Sequence, residues 1–313
     1  MDCNKKEQGG RTLEKIKVSV IIPTFARSIP VARAVRSAVE QSHRNLEIIV
    51  VDDNADECMR METLRAVSAL GDERVVYISN GRNLGAARSR NAGIEKSSGA
   101  YITFLDDDDV YDRDKVERQL AYMLENNLDF CFSSLRMADE HGKIREIRSR
   151  DFITEFSREN LMVENLLHHI SSSDTFMSRR ETLFEAGLFP DERIGEDYRL
   201  LMKVIESGAR IGCSPHCGVT AFLHGKEGGV STGREKIAGE RAVYQFSRGY
   251  FHLLTKKQIR YVKMRYYLVL SYVYFKYHDI RMLPNLVLSF CHSPGGFCGE
   301  VLQRVRRGRA YGN

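Results

Sequence analysis

No apolar run in this 313-residue chain is long enough to cross a membrane. The nearest candidate, residues 266–275, is followed by Lys276, His278 and Asp279, whereas a membrane-spanning helix needs about 20 apolar residues. Residues 1–17 are polar and lack the apolar core of a secretion signal. These absences argue against a membrane-spanning or secreted protein, and we expect a cytoplasmic location.

The cysteines do not form a paired framework. They are seven in number, scattered, and mostly embedded in apolar stretches, which is typical of reduced thiols in the cytosol. Cys213 and Cys217 flank His216, but no second cysteine pair completes a tetrahedral zinc site. We therefore predict neither a disulfide scaffold nor structural zinc.

Positive charge is concentrated near the C-terminal end. The formal net charge is only +5, yet from Thr255 onward eleven Lys or Arg face two acids, Asp279 and Glu300. Residues 256–277 interleave basic side chains with tyrosines, and residues 283–290 are apolar. Such a helical extension either lies on an anionic membrane surface or packs its apolar side chains against the protein and leaves the basic groups in solvent. No nucleic-acid recognition motif accompanies the charge, so we expect no nucleic-acid binding.

Short β-branched runs alternate with amphipathic stretches along most of the chain. This alternation predicts right-handed βαβ units and an α/β fold with a doubly wound, mostly parallel sheet flanked by helices. Residues 134–169 show no assignable pattern. The predicted strands cover residues 18–22, 46–51, 74–78, 101–105, 129–133 and 174–178, and the predicted helices cover residues 30–41, 61–71, 85–95, 113–126, 180–186 and 196–207.

Aspartates follow two of these strands. The strand at 101–105 runs into Asp106 to Asp109, and the strand at 46–51 runs into Asp52 and Asp53. Carboxylates this close repel one another and need a counter-charge, of which a divalent cation is the simplest. The alternative is an acidic turn that caps the following helix. Because ligands bind beyond the carboxyl ends of the strands in such sheets, the convergence of two acidic ends favours a site for metal and phosphate.

Five segments occur together in the order and spacing of a known family: Val18–Phe25, Glu47–Asn54, Asn83–Gly93, Phe104–Asp109 and Gly195–Leu200. They resemble the inverting family 2 glycosyltransferases of GT-A fold, over about residues 17–225. Each segment alone is a weak signal, but the ordered set is specific. The resemblance implies a GT-A catalytic domain (17–232), and the residues outside it are predicted to form a polar N-terminal tail (1–16) and a basic, Tyr-rich helical extension (233–313). Within the catalytic domain, it implies a nucleotide-binding half (17–110) and an acceptor half (111–232).

The same resemblance assigns residues to the donor. Pro23, Thr24 and Arg90 are expected to border the nucleotide, and Asp53, with Asp52 beside it, to accept a hydrogen bond from the donor's base. The Asp-x-Asp pair, which contacts the ribose and reaches the diphosphate through Mn²⁺ or Mg²⁺, corresponds to Asp106 and Asp108. A run of four acids leaves the register open by one, so Asp107 is the alternative to Asp106.

On the acceptor side, the resemblance makes Asp197 the catalytic base and Glu196 its companion. Two acids at the start of a helix also have a simpler interpretation, a favourable interaction with the helix dipole. His224 resembles the family's late histidine, a further metal ligand, and the Gly-rich loop after it would close over the diphosphate, with His224 or Lys226 contributing. The alternative is that this loop is a plain surface connection.

The implied function is metal-assisted transfer of a sugar, with inversion, from a nucleoside-diphosphate sugar to a hydroxyl of a carbohydrate or glycolipid. A UDP-sugar is the expected donor, and polysaccharide or glycoconjugate biosynthesis the expected context. The chemistry itself needs a cation to stabilise the departing diphosphate and a base to deprotonate the acceptor. Two alternatives stay open: a sugar nucleotidyltransferase, although residues 23–27 lack the expected phosphate-loop glycines, and a non-catalytic sugar-nucleotide-binding module, although no expected acid is missing. A dehydrogenase is disfavoured, because no Gly-x-Gly-x-x-Gly follows a strand.

Overall fold

A seven-stranded sheet gathers the β-branched runs of the chain. The computed structural model describes residues 13–223 and 235–311. Its strands are β1 (Val18–Thr24), β2 (Leu46–Asp52), β3 (Val75–Ser79), β4 (Tyr101–Phe104), β5 (Val110–Tyr111), β6 (Phe130–Ser133), β7 (Leu135–Ala138), β8 (Ile144–Arg148), β9 (Met177–Arg179), β10 (Ile211–Ser214) and β11 (Val219–Phe222).

The main sheet is mostly parallel, with the strand order β10-β6-β9-β4-β1-β2-β3. β1 pairs in parallel with β2 and β4, β2 with β3, and β10 with β6, whereas β9 runs antiparallel between β4 and β6. Every residue of β1 is buried, as its continuous apolar run requires of a strand covered on both faces. A smaller sheet has the order β5-β11-β7-β8. The predicted α/β fold with a mostly parallel sheet is confirmed.

Helices follow the strands as the alternation predicts, and each predicted helix between residues 30 and 207 is present. They are α1 (Ser28–Val39), α2 (Glu57–Ser68), α3 (Ala86–Lys96), α4 (Lys115–Glu125), α5 (Arg158–His168), α6 (Arg180–Glu185), α7 (Glu196–Glu206), α8 (Glu235–Arg248), α9 (Lys256–Lys276), α10 (Met282–His292) and α11 (Pro294–Tyr311).

The structure differs from the sequence-based expectation in two stretches. The predicted strand at 174–178 is wrong in part, because Ser173–Thr175 form a turn of 3-10 helix and the strand begins only at Met177. The unassigned stretch 134–169 contains β7, β8 and α5. Three of the five residues of β8 are exposed and the other two are half-buried. Its sequence therefore lacks the alternation of buried apolar and exposed polar residues that predicts a strand.

Helix α3 lies unusually close to the centre of the sheet. A Cβ placed on Gly93 would come within 2.5 Å of Ile21 Cγ2 in β1, so the close approach depends on the missing side chain. The helix begins just after Gly85, which has φ 87°, a conformation that favours glycine. This packing brings Arg90 toward the ends of β1 and β4.

The chain divides into two compact units. Among the described residues, the first unit lies within Met1–Phe156, Ser171–Asp191 and Glu196–Phe222, and carries both sheets. The second lies within Ser157–Ile170, Glu192–Gly195 and Leu223–Asn313, and is helical. The predicted domain boundaries at residues 17 and 232 stay predictions. No helix in the described parts of the chain combines the length and the apolar character that a bilayer span requires.

Candidate functional site

The carboxyl ends of β1, β2 and β4 meet at one edge of the sheet. Thr24 at the end of β1 pairs in register with Asp52 at the end of β2, and Asp106 to Asp109 follow β4 directly. Thr24 Oγ1 donates a hydrogen bond of 2.8 Å to Asp107 Oδ2. The strand ends therefore bring the predicted nucleotide-side residues together, with Pro23 buried one position before Thr24.

Asp52 and Asp53 are both buried and hydrogen-bonded. Asp53 accepts hydrogen bonds from Asn80 Nδ2 at 2.8 Å and from the backbone amides of Leu84 at 2.9 Å and Gly85 at 2.7 Å. It thereby satisfies amides at the start of α3, which have no partner within the helix. Asp52 accepts from Tyr77 Oη at 2.6 Å and from the Asn54 amide at 2.7 Å. Both carboxylates organise the edge of the sheet, and their contact with a nucleotide base stays a prediction.

Arg27 provides a counter-charge for the middle of the acidic run. Its Nη1 lies 3.0 Å from Asp107 Oδ1 and forms an ion pair with Asp108. Asp107 also accepts from the Phe25 amide at 3.3 Å and is only 6% exposed. Burial raises the pKa of Asp107 to about 6, although Arg27 and Thr24 act to lower it. Asp107 therefore points into the protein, toward the loop after β1.

A cluster of three carboxylates lies on the other side of the same run. Asp106, Asp109 and Asp174 each offer an oxygen within 4.8 Å of the others. The Asp106 amide donates to Asp174 Oδ1 at 2.8 Å, and the side chains of Asp109 and Asp174 share a hydrogen bond. Burial raises the pKa of Asp109 to about 7 and that of Asp174 well above its usual range. An all-oxygen set of this kind suits Mg²⁺ or Mn²⁺.

This cluster differs from the predicted metal ligands. It contains Asp106 but not Asp108, whose carboxylate is held by Arg27. Asp174 was missed because its segment reads as a strand, and Asp109 because the motif ends one residue earlier. The sequence signal that could have identified Asp109 is its position as the fourth consecutive aspartate. His224 and Lys226 lie outside the described residues.

A second potential metal group is formed by Asp112, Asp114 and His216. Both of its carboxylates are paired with arginines, since Arg136 Nη2 lies 2.6 Å from Asp112 Oδ1 and Arg118 Nε lies 2.6 Å from Asp114 Oδ2. Neither Cys213 nor Cys217 belongs to a potential metal group in the described part of the chain.

Arg90 joins the carboxylate cluster to Glu196, the predicted companion of the base. Its Nη2 lies 2.6 Å from Asp106 Oδ1, and its Nη1 lies 3.0 Å from Glu196 Oε1 at the start of α7. The side chain is 4% exposed, and its guanidinium carbon lies 5.4 Å from the centre of the Phe189 ring. Burial alone would lower the pKa of Arg90, but Asp106 and Glu196 raise it, so the residue keeps its charge.

Asp197 lies beside this ion pair, in the first turn of α7. Its carboxylate accepts a hydrogen bond of 2.7 Å from the Tyr198 amide and another from the Ser171 side chain. Burial raises the pKa of Asp197 and raises that of Glu196 to about 7. A raised pKa brings a carboxylate closer to the range in which a general base works at neutral pH. The helix-dipole interaction is also present, because both acids lie at the helix start.

Comparison with known proteins decides the family. Residues 19–185 match the family model "Glycosyl transferase family 2". The chain belongs to this family. The matched region contains the acidic ends of β2 and β4 and extends past Asp174, whereas Glu196 and Asp197 lie after it.

Curated relatives extend the comparison, although the family 2 chain spans only part of their length. It is 37% identical over 194 residues to an uncharacterized glycosyltransferase of Rickettsia bellii, covering 61% of this chain and 27% of the relative. It is 30% identical over 229 residues to the succinoglycan biosynthesis protein ExoO of Rhizobium meliloti, covering 68% and 62%. It is 28% identical over 137 residues to the Escherichia coli UDP-Glc:alpha-D-GlcNAc-diphosphoundecaprenol beta-1,3-glucosyltransferase WfgD, covering 44% and 53%.

A solved structure shares the fold of this family 2 chain. The crystal structure of Staphylococcus aureus TarS 1–349 in complex with UDP-GlcNAc matches with a TM-score of 0.60 at 19% identity, covering 90% of this chain and 92% of that one. The predicted GT-A fold is confirmed.

Proposed function

We propose that the protein transfers a sugar from a nucleoside-diphosphate sugar to an acceptor hydroxyl, with inversion at the anomeric carbon. The observation that carries this proposal is the double ion pair of Arg90, which binds Asp106 on the donor side and Glu196 beside Asp197. One buried guanidinium thus fixes the two carboxylate clusters that the reaction needs within a single site.

The donor half consists of the strand ends around Thr24 and Asp53, with Pro23, Asp52 and Arg90 supporting them. In this proposal Asp53 receives a hydrogen bond from the base, and Thr24 borders the nucleotide. A UDP-sugar is the donor we expect, supported by the UDP-GlcNAc bound to the TarS structure and by the UDP-glucose donor in the name of WfgD. Family membership favours sugar transfer over nucleotidyl transfer and over a purely binding role.

The metal half fits Mn²⁺ or Mg²⁺. We assign Asp106 as the shared ligand, with Asp109 and Asp174 as the other residues of the carboxylate cluster and Asp108 as the second member of the Asp-x-Asp pair. A bound cation would act as a Lewis acid on the departing diphosphate. Arg27 supplies positive charge to Asp107 and Asp108 and holds the run in position.

Asp197 is the proposed general base, and it accepts the proton of the acceptor hydroxyl as that oxygen attacks. Glu196 is committed to Arg90, which leaves a single carboxylate for the chemical step. One base and no carboxylate nucleophile mean direct displacement, and direct displacement inverts the configuration. The acceptor class we propose is a carbohydrate or a glycolipid in polysaccharide or glycoconjugate biosynthesis, supported by the names of ExoO and WfgD.

The test separates donor binding from transfer. Titration calorimetry should detect binding of UDP in the presence of Mn²⁺, and Asp197→Asn should bind UDP as tightly as the wild type. The same variant should lose transfer by a factor of about 10² to 10⁴, the usual contribution of a general base. Asp191→Asn, at an exposed residue paired with Arg88, is the matched control and should retain transfer. Full transfer by Asp197→Asn would remove Asp197 from this role, and absence of nucleotide binding by the wild type would overturn the proposed function.

A further inference from the structure

Helix α10 in the second unit turns its polar side inward and its apolar side outward. Its buried residue is Ser289, whose Oγ donates a hydrogen bond of 2.8 Å to the Met264 carbonyl in α9. A second hydrogen bond, of 3.1 Å, runs from Ser271 Oγ in α9 to the Met282 carbonyl. The two helices are thus joined through hydroxyl groups, and the side of α10 away from α9 carries the large apolar residues.

The exposed residues of α10 form a helical stripe. Leu283, Leu286, Val287 and Phe290 follow the spacing i, i+3, i+4 and i+7, and they are 48%, 37%, 61% and 47% exposed. Ile280, three residues before the stripe, is 75% exposed. These five residues are called the outer apolar face. An amphipathic helix of a globular protein normally buries such a stripe, and a contiguous exposed apolar patch marks an interaction site. Within the second unit, the ring of Phe290 contacts that of Phe297 in α11, with centroids 5.6 Å apart, and still leaves 47% of Phe290 exposed.

Basic residues of α9 lie near both ends of α10. Lys276 lies exposed at the end of α9, shortly before Ile280. At the other end, Lys263 and Arg260 are close enough to His292 to lower its pKa, together with burial. The two acids of this region are ion-paired: Asp279 Oδ2 lies 2.5 Å from Arg281 Nη2, and Glu300 Oε1 lies 3.8 Å from Arg265 Nε. In the described part of residues 255–311, both acids are therefore ion-paired and the net charge is positive.

We propose that the outer apolar face of α10 docks on the surface of a membrane that contains anionic lipids. The helix would lie in the plane of the interface, with the apolar stripe among the acyl chains and Lys276, Arg260 and Lys263 at the headgroups. Its 11 residues span about 16 Å, roughly half the thickness of the hydrocarbon core, so the helix is suited to lying on a bilayer and not to crossing one. This inference does not depend on the proposed sugar transfer.

The first experiment measures vesicle binding by co-sedimentation of the full chain. Binding should be stronger to phosphatidylcholine vesicles with phosphatidylglycerol added than to phosphatidylcholine alone, and should weaken as salt is raised. The double substitution Val287→Gln and Phe290→Gln should reduce binding at least tenfold. Lys263→Gln should reduce binding to the anionic vesicles about fivefold. Ile29→Gln, at an 84% exposed apolar residue of α1, is the matched control and should leave binding unchanged.

The second experiment uses the absence of tryptophan from the chain. Phe290→Trp introduces a single reporter, whose emission should shift to the blue on addition of anionic vesicles and should be quenched by brominated lipid. Ile29→Trp should show neither effect. Both positions are exposed, so we expect neither substitution to disturb folding. The circular dichroism spectrum and the melting temperature of each variant check this.

Two results would overturn the proposal. One is equal vesicle binding by the wild type and the Val287→Gln, Phe290→Gln variant with an unshifted Phe290→Trp emission. The other is a concentration-dependent dimer without vesicle binding, detected by sedimentation velocity and abolished by the same double substitution, which would assign the face to a second copy of the chain.

Discussion

Arg90 Nη1 lies 3.0 Å from Glu196 Oε1, and the two residues are 106 positions apart in the chain. The other terminal nitrogen of Arg90 binds Asp106, so a single buried cation compensates two carboxylates. Removing one partner of a buried ion pair leaves an uncompensated charge, which costs far more than the loss of an exposed pair.

We expect Arg90→Gln to lower the free energy of unfolding by roughly 3 kcal/mol, because Asp106 and Glu196 lose their counter-charge. The measurement is the thermal unfolding midpoint by calorimetry. Arg88→Gln, on the same helix, breaks only the exposed pair with Asp191 and should leave the midpoint unchanged. Equal midpoints for the two variants would show that the charge of Arg90 is not needed for folding.

Three single substitutions test whether Asp106 or Asp107 belongs to the Asp-x-Asp pair. Asp106→Asn and Asp108→Asn should weaken Mn²⁺-dependent UDP binding at least tenfold in titration calorimetry. Asp107→Asn should change it little, because Asp107 is 6% exposed and bound to Thr24 and Arg27. Loss of the Mn²⁺ dependence in Asp107→Asn, with Asp106→Asn unaffected, would assign the pair to Asp107 instead.

The buried side chain of Lys115 should make the stability of the protein depend on pH. The side chain is 2% exposed, and burial lowers the pKa of Lys115 to about 7. Between that pH and the ordinary lysine value, the unfolded chain binds more protons than the folded protein, so the contribution of Lys115 to stability rises with pH. The slope is at most about 1.4 kcal/mol per pH unit.

The measurement for Lys115 is the difference in unfolding free energy between the wild type and Lys115→Met from pH 7 to 8.5. The wild type should gain stability relative to the variant as the pH rises, because methionine has no proton to release. Lys96→Met, at an exposed position of α3, should track the wild type. A difference that stays constant with pH would mean that Lys115 remains charged in the folded protein.

Ala26, in the loop that carries Arg27, has φ 57°, which is rare for a residue with a side chain. Ala26→Gly relieves this strain and should stabilise the protein by up to about 1 kcal/mol, since the gain is partly offset by the greater freedom of glycine in the unfolded chain. The same substitution at Ala66, inside α2, should destabilise by about 1 kcal/mol. Denaturant unfolding of both variants provides the comparison, and a loss of stability at both positions would contradict the assignment of strain to Ala26.

Strand β1 and the run Asp106 to Asp109 were predictable because their signals are local. A continuous β-branched run predicts a strand buried on both faces, and four acids after a strand predict a charged edge. Asp174 could not be found this way, because its partner Asp109 is 65 residues away and the intervening pattern says nothing of their contact. Arg27 was missed for the same reason, since its pairing with Asp107 spans 80 residues. The sequence therefore predicted the acidic run itself, and the structure showed its partners Arg27 and Asp174.

Strand β9 also constrains the order in which the protein can fold during synthesis. It lies between β4 and β6 and pairs with both, although Phe130–Ser133 and Tyr101–Phe104 are made long before Met177–Arg179. Until the ribosome has released residue 179, the edges of β4 and β6 that β9 later covers have unpaired backbone groups, and such edges can pair with other chains. Long-range pairing of this kind slows folding. A nascent chain halted before β9 is therefore the species on which we expect chaperones to act, and in which misassembly should begin.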